Sequence, residues 1–149
     1  MIIVEKTDPH HPQATALLHQ SHALMESLFP PEDNFFLNID DLCAPNIHFF
    51  AARRGDFIIG TGALALKDGY GEVKSMYVDE GARGSGAADA IMRVLEDAAR
   101  EAELPSLRLE TGNVLHAAHK LYRRHGFTDC SAFGDYPEGG SSIFMEKAL

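Results

Sequence analysis

Gly81-Ala82-Arg83-Gly84-Ser85-Gly86-Ala87-Ala88-Asp89 joins a strand-like run to a helix-like one. Glu72 to Val78, just before it, reads as a strand entered through Gly69-Tyr70-Gly71. Beyond it, Ile91, Leu95 and Ala98 recur at helical spacing, and Met92, Val94 and Ala99 widen the stripe, so an amphipathic helix is predicted over Gly84 to Glu103. Glycines in such a turn let the backbone come close to a ligand. The unpaired N–H groups and positive end of the helix behind it suit a phosphate or pyrophosphate. Two nucleotide motifs fail here. A Walker loop requires Gly-Lys-Ser/Thr at the helix start, and the segment has no lysine. A dinucleotide fingerprint requires Gly-x-Gly-x-x-Gly, and Gly84-x-Gly86 leads instead to Asp89. Read alone, the segment is equally a tight turn opening a helix.

Upstream, Ile2 to Glu5 is a short β-branched strand. A helix starting near Asp8-Pro9 carries Ala16, Leu17, Leu18, Leu24, Met25 and Leu28 as far as Pro30-Pro31. A second short helix is expected over Phe35 to Leu42. Ile47 to Arg53 and Phe57 to Leu66 form a hairpin turned at Arg54-Gly55-Asp56. Downstream, Pro105 closes the long helix and Leu107 to Thr111 is a strand. Val114 to His125 is a second amphipathic helix stopped by Gly126. Phe127 to Phe133 and Ser142 to Lys147 are the last strands. The order β-α-α-β-β-β-α-β-α-β-β describes an α/β chain with one mixed sheet flanked by helices, expected as a single domain over residues 1–149.

The chain has 149 residues, enough to bury a real core, and a 45% hydrophobic, 23% charged composition that excludes disordered and fibrous classes. Its longest mostly apolar stretch, Phe57 to Leu66, is interrupted by Gly60, Thr61 and Gly62 and is too short to cross a bilayer. With no signal-peptide pattern at Met1 to Lys6, a soluble cytoplasmic protein is expected. A net charge of −9 argues against nucleic acid as a partner. Cys43 and Cys130 fit reduced, buried thiols. The eight histidines include His10-His11 and the pair His116 and His119 on one helix face, but no third partner completes a zinc set, and no metal is expected.

Arg83-Gly84-Ser85-Gly86-Ala87-Ala88 resembles the Arg/Gln-x-x-Gly-x-Gly/Ala pyrophosphate loop of the GNAT N-acetyltransferases. The run Ala118-His119-Lys120-Leu121-Tyr122-Arg123-Arg124-His125-Gly126-Phe127 is similar to that family's Ala-x-x-Leu-Tyr-x-x-x-Gly-Phe block. The resemblance spans the whole order of elements, with specific motifs from about Gly69 to Phe127. It implies the GNAT fold and acetyl-CoA as acetyl donor. Backbone N–H groups of Arg83, Gly84, Ser85, Gly86, Ala87 and Ala88 would hold the pyrophosphate, and the strand Lys74-Ser75-Met76-Tyr77-Val78 would pair edge-on with the pantetheine arm. A bulge near Met76 to Val78 would aim one N–H at the thioester carbonyl, an oxyanion-type contact.

In the same resemblance, Tyr122 is the acid for the leaving thiolate and Ala118 lies beside the cofactor. A tyrosine holds its proton at neutral pH, although read alone Tyr122 is also a core aromatic. Glu72 is the implied base that deprotonates the acceptor ammonium, read otherwise as a strand-end carboxylate paired with Lys74. Glu110 is the reserve, and ordered water a further alternative. Where the family has Asn or Gln against the cofactor arm, this chain has Leu115, and Asn113 is the nearest substitute. Arg123 or Arg124 would attract the 3′-phosphate of CoA. The loop Phe133 to Glu138, with Phe35, Phe36 and Phe50, would wall a cleft for a small-molecule or peptide primary amine. The family also admits a homodimer through the C-terminal strands. Two other classes stand beside this reading: a non-catalytic acyl-CoA sensor, and a nucleotide-binding domain unrelated to CoA.

Overall fold

A computed structural model describes all residues, 1–149. Seven strands form one sheet in the order β1-β2-β3-β4-β5-β7-β6: β1 (Ile2–Lys6), β2 (Ile47–Arg54), β3 (Phe57–Lys67), β4 (Tyr70–Val78), β5 (Ser106–Gly112), β6 (Thr128–Cys130) and β7 (Ser142–Ala148). All neighbours run antiparallel except β4 and β5, which are parallel. Three helices cover the faces: α1 (Pro12–Leu28), α2 (Ala87–Glu101) and α3 (His116–Arg124).

Strand alternation sends neighbouring side chains to opposite faces, and it explains the two cores. On β3, Ala63 packs with Ala14, Leu18 and Phe49 under α1, while Leu64 joins Ile91, Leu95, Leu107, Leu121 and Met145 under α2 and α3. β2 and β3 are covered on both sides, which is why they read as nearly unbroken apolar runs. Pro12 opens α1, where its missing N–H costs nothing, and His11 Nδ1 accepts from the N–H of Gln13 at 3.2 Å. No helix is long and apolar enough to cross a membrane.

The helix expected over Phe35 to Leu42 does not form. Two short 3-10 turns, Pro31–Asp33 and Asp41–Cys43, bracket irregular chain. Here side chains satisfy the backbone instead: Asn38 N donates to Asp41 Oδ2 at 3.2 Å, and Asp41 N donates to Asn38 Oδ1 at 2.8 Å. Such local bonds compete with a helical ladder. β6 stops at Cys130, short of the expected Phe133, because Phe133 turns inward to pack edge-on against Tyr70, Tyr136 and Phe144. Both thiols are free, but the expectation of burial fails: Cys43 is exposed and Cys130 half-buried.

Candidate active site

β4 and β5 pair only at Gly71 with Leu107 and at Glu72 with Arg108. Beyond Glu72 they part. β5 is held on its other side by β7 from Ser106 to Gly112, so the β4 edge from Val73 onward faces a gap. The bend has a cause on the β3 side. Thr61 pairs with Tyr77 but Ala63 pairs with Lys74, so β4 carries one extra residue opposite Gly62. The bulge is centred at Ser75 and Met76, earlier than expected, and Ser75 adopts φ +55°. A fully buried Thr61 donates its hydroxyl to the Ser75 carbonyl at 2.8 Å and fixes the distortion. Gly62 is required beneath it, since a Cβ there would lie 2.4 Å from Ile91 Cγ2 and 2.8 Å from Met76 Sδ.

In the gap lies a cavity of about 130 Å³ whose walls include Ser75, Met76, Glu110, Leu115, Ala118 and Tyr122, with Met25, Phe29 and Phe36 closing the α1 side. Tyr122 is buried and packs edge-on against Phe127. Burial, then the nearby Glu110 carboxylate, push its pKa well above the ordinary tyrosine value, so the phenol stays protonated. Burial also raises the pKa of Glu110. A hydrogen bond from Ser142 Oγ (2.8 Å) and the Lys74 charge offset part of this, while the Glu72 and Asp33 carboxylates add to it.

Glu72 stands elsewhere. It is buried at the closed end of the gap, accepts from the Tyr136 hydroxyl at 2.5 Å, and lies 3.5 Å from Lys74 Nζ. Lys74 Nζ in turn donates to Tyr136 Oη (2.8 Å) and to the Phe35 carbonyl (3.2 Å). Glu72 lines a second, wider pocket of about 860 Å³ with Tyr70, Asp68, Asp135 and Tyr136. Phe35, Phe36 and Lys74 are common to both pockets. Of the expected acceptor walls, Phe50 is absent because it lies in the core beneath α2.

The loop after β4 leads to α2. Gly84 (φ +81°) and Gly86 (φ +90°) are left-handed, and nothing lies within 4 Å of where a Cβ on either would stand. No side chain caps α2 at Gly86, and only Ser85 Oγ, 3.4 Å from the Ala87 N–H, touches its first donors. The carboxylate of Asp89, in the first turn of α2, is bound by Arg124 Nη2 (2.8 Å) and His125 Nε2 (2.7 Å). Burial opposes ionisation of Asp89, but those two hydrogen bonds prevail and hold its pKa below the usual carboxylate value. Arg123 pairs with Asp129 at 3.2 Å, so both α3 arginines are engaged within the chain. Exposed Arg83 sits 6.0 Å from the Tyr77 ring, and Tyr77 Oη approaches Gln20 Oε1 at 3.5 Å.

Val78 pairs with Gly60 at the far end of β4, and Ala118 is half-buried on α3. Asn113 lies in an exposed turn, its N–H bonded to the Ser141 carbonyl at 2.8 Å, and Leu115 rather than Asn113 reaches the cavity. His119 Nε2 is 2.8 Å from the Gly112 carbonyl oxygen and edge-on to His116. Thus Tyr122, Met76 and Ala118 meet at one cavity with Glu110, while Glu72 does not join them. Ser75 falls within the strand expected to pair with the pantetheine arm, though ahead of the expected bulge; Thr61 was missed, because no local pattern links its hydroxyl to a carbonyl on the next strand.

The sequence model of the Acetyltransferase (GNAT) family matches residues 15–127. An IAA acetyltransferase of Azospirillum brasilense is 37% identical over 150 residues, covering 99% of this chain and 98% of the relative. A Klebsiella pneumoniae structure assigned to the acyl-CoA N-acyltransferases superposes with a TM-score of 0.84 at 32% identity, over 100% of this chain and 98% of that one. The PaiA N-acetyltransferase of Thermoplasma acidophilum, solved with coenzyme A, shares the fold with a TM-score of 0.77 at 14% identity, over 100% and 99% of the two chains. The chain belongs to the GNAT family and is an enzyme of the acetyltransferase class. The readings as a non-catalytic sensor or an unrelated nucleotide binder fall away.

Proposed function

We propose that residues 1–149 act as one domain that transfers the acetyl group of acetyl-CoA directly to a primary amine. The observation that carries this reading is the cavity where β4 and β5 part, walled by Tyr122, Glu110 and the β4 bulge. The residues present fit the donor. The start of α2 has no side-chain cap, its two left-handed glycines leave open space, and the β4 edge lacks a strand partner. Arg83, Gly84, Ser85, Gly86, Ala87 and Ala88 hold the pyrophosphate through backbone N–H groups. Met76, Tyr77 and Val78 hold the arm. Acetyl-CoA supplies an acetyl group activated as a thioester.

Glu110 takes the role first expected of Glu72. It shares the cavity with Tyr122, and its raised pKa makes it a stronger base than an exposed carboxylate. It accepts one proton from the acceptor ammonium. Tyr122 keeps its proton until the departing sulfur takes it, and the phenolate so formed regains one from the second proton that the acetylated nitrogen must shed. A thiolate formed beside the buried phenol is destabilised by the same desolvation, which offsets the raised pKa of the phenol. The name of the Azospirillum relative favours a small-molecule acceptor. Asp68 and Asp135, beside Tyr70 and Tyr136 in the wider pocket, suit a cationic one. A homodimer through the C-terminal strands belongs to the same reading, carried by the family resemblance, and cytoplasmic action is carried by the composition of the chain.

The test is thiol release from acetyl-CoA across small primary amines, with CoA affinity measured alongside. Tyr122→Phe should lower kcat by about 100-fold, the usual worth of a positioned acid, and leave CoA affinity unchanged. Full turnover by this variant would remove the acid role, and a wild-type protein that binds no acetyl-CoA would remove the whole reading.

A further inference from the structure

Ser75 breaks two rules at once. It is a non-glycine residue at φ +55°, and its hydroxyl is wholly buried without a hydrogen-bond partner. The only other such buried side-chain atom is Arg108 Nε. Left-handed strain and an orphaned buried hydroxyl each cost stability, and a fold retains them together where a ligand completes the site. The residue is held rather than loose, because Thr61 Oγ1 grips its carbonyl at 2.8 Å. The residue itself is half-buried and lines the cavity shared with Tyr122 and Glu110, so a turn about its χ1 brings the enclosed hydroxyl into that space.

The geometry points to Ser75 as a side-chain hydrogen-bond donor to the acyl oxygen of the acetyl donor, a contact additional to any backbone N–H of the bulge. The cavity chemistry selects this partner. Glu110 and Asp33 are acceptors suited to the incoming amine, and Lys74 is committed to Phe35 and Tyr136. The remaining ligand atom that needs a donor on the β4 wall is the carbonyl oxygen. Thr61 is then a positioning residue that sets the height of Ser75 in the gap. This assignment rests on the acetyl-CoA reading above.

Titration calorimetry of wild type, Ser75→Ala and Ser75→Gly with acetyl-CoA and with CoA tests it without turnover. Ser75→Ala should bind acetyl-CoA about five- to tenfold more weakly, the worth of one uncharged hydrogen bond, and bind CoA, which has no acyl oxygen, as well as wild type does. Ser75→Gly, which relieves the left-handed backbone, should show the same loss. The melting temperatures of the ligand-free variants should match or exceed that of wild type, since an unpaired hydroxyl stabilises nothing. Unchanged acetyl-CoA affinity, an equal loss for CoA, recovery in Ser75→Gly, or a melting temperature lowered by more than about 4 °C in Ser75→Ala would each overturn the assignment. Wild type that binds neither ligand defeats the functional reading and this inference with it. Wild type that binds acetyl-CoA beside an unaffected Ser75→Ala defeats the inference alone.

Discussion

Glu72 and Glu110 are both largely shielded from water, yet their surroundings give them different work. The Glu72 carboxylate already accepts from Tyr136 and faces the Lys74 ammonium, so taking a further proton would dismantle a buried network. Glu110 has one hydrogen bond, from Ser142, and opens onto the cavity. Glu110→Gln is expected to lower kcat/KM by about 100-fold. It should also remove an acid limb lying above the usual carboxylate range, read from a pH–rate profile. Stability gives an independent readout. A carboxyl with a raised folded pKa contributes stability that is full below its unfolded value near 4.5 and is lost as pH rises through the folded pKa. Denaturant midpoints should therefore show Glu110→Gln gaining on wild type as pH climbs out of that window. A constant difference across pH would show that Glu110 does not titrate there.

Among the elements, β4 and α2 form one device. The bulge lets the two parallel strands part, and the loop behind β4 delivers a helix start whose donors the chain itself leaves almost free. Gly86→Ala isolates the backbone part of this. The added methyl group meets nothing within 4 Å, so no clash confuses the result, but φ +90° is strained for alanine. The variant should lose about 1–2 kcal/mol of folding stability and bind CoA more weakly, by calorimetry. Unchanged CoA affinity would show that this turn does not hold the pyrophosphate. The 3-10 turns around residues 34–40 matter for the same reason. They leave Phe35 and Phe36 on extended chain, where both side chains reach the two pockets.

Across the whole molecule, Lys74 is the tie between distant segments. From the middle of the sheet it bonds the Phe35 carbonyl after α1 and Tyr136 in the loop before β7, and it neutralises Glu72. With side chains only 12% and 5% exposed, the Lys74–Glu72 pair is shielded from solvent screening. Removing one partner strands the other charge. Lys74→Met should cost about 3 kcal/mol in chemical denaturation, and the double variant Lys74→Met with Glu72→Gln should recover much of that loss. Equal stability of the single variant and wild type would mean that water reaches the pair.

The β-α-β rhythm, the glycine loop and the Ala118–Phe127 block were legible in the sequence because each depends on near neighbours: alternation, helical spacing, and residue types that favour a turn. The local pattern alone gives a turn opening a helix and a core aromatic, and the family resemblance is what ties that loop and Tyr122 to an acetyl donor. Whether Glu72 or Glu110 meets Tyr122 is not legible there. That depends on where β4 leaves β5, and the parting point is set by an extra residue opposite Gly62 and by a Thr61 hydroxyl fourteen positions from Ser75. The short helix misread over Phe35 to Leu42 failed for a related reason, since apolar spacing cannot register the Asn38–Asp41 bonds that satisfy the backbone another way. Local chemistry fixed most of the elements and the glycine turn before α2. Long-range pairing alone chose which carboxylate lines the cavity with Tyr122, because strand register and the path of the gap are properties of the assembled sheet.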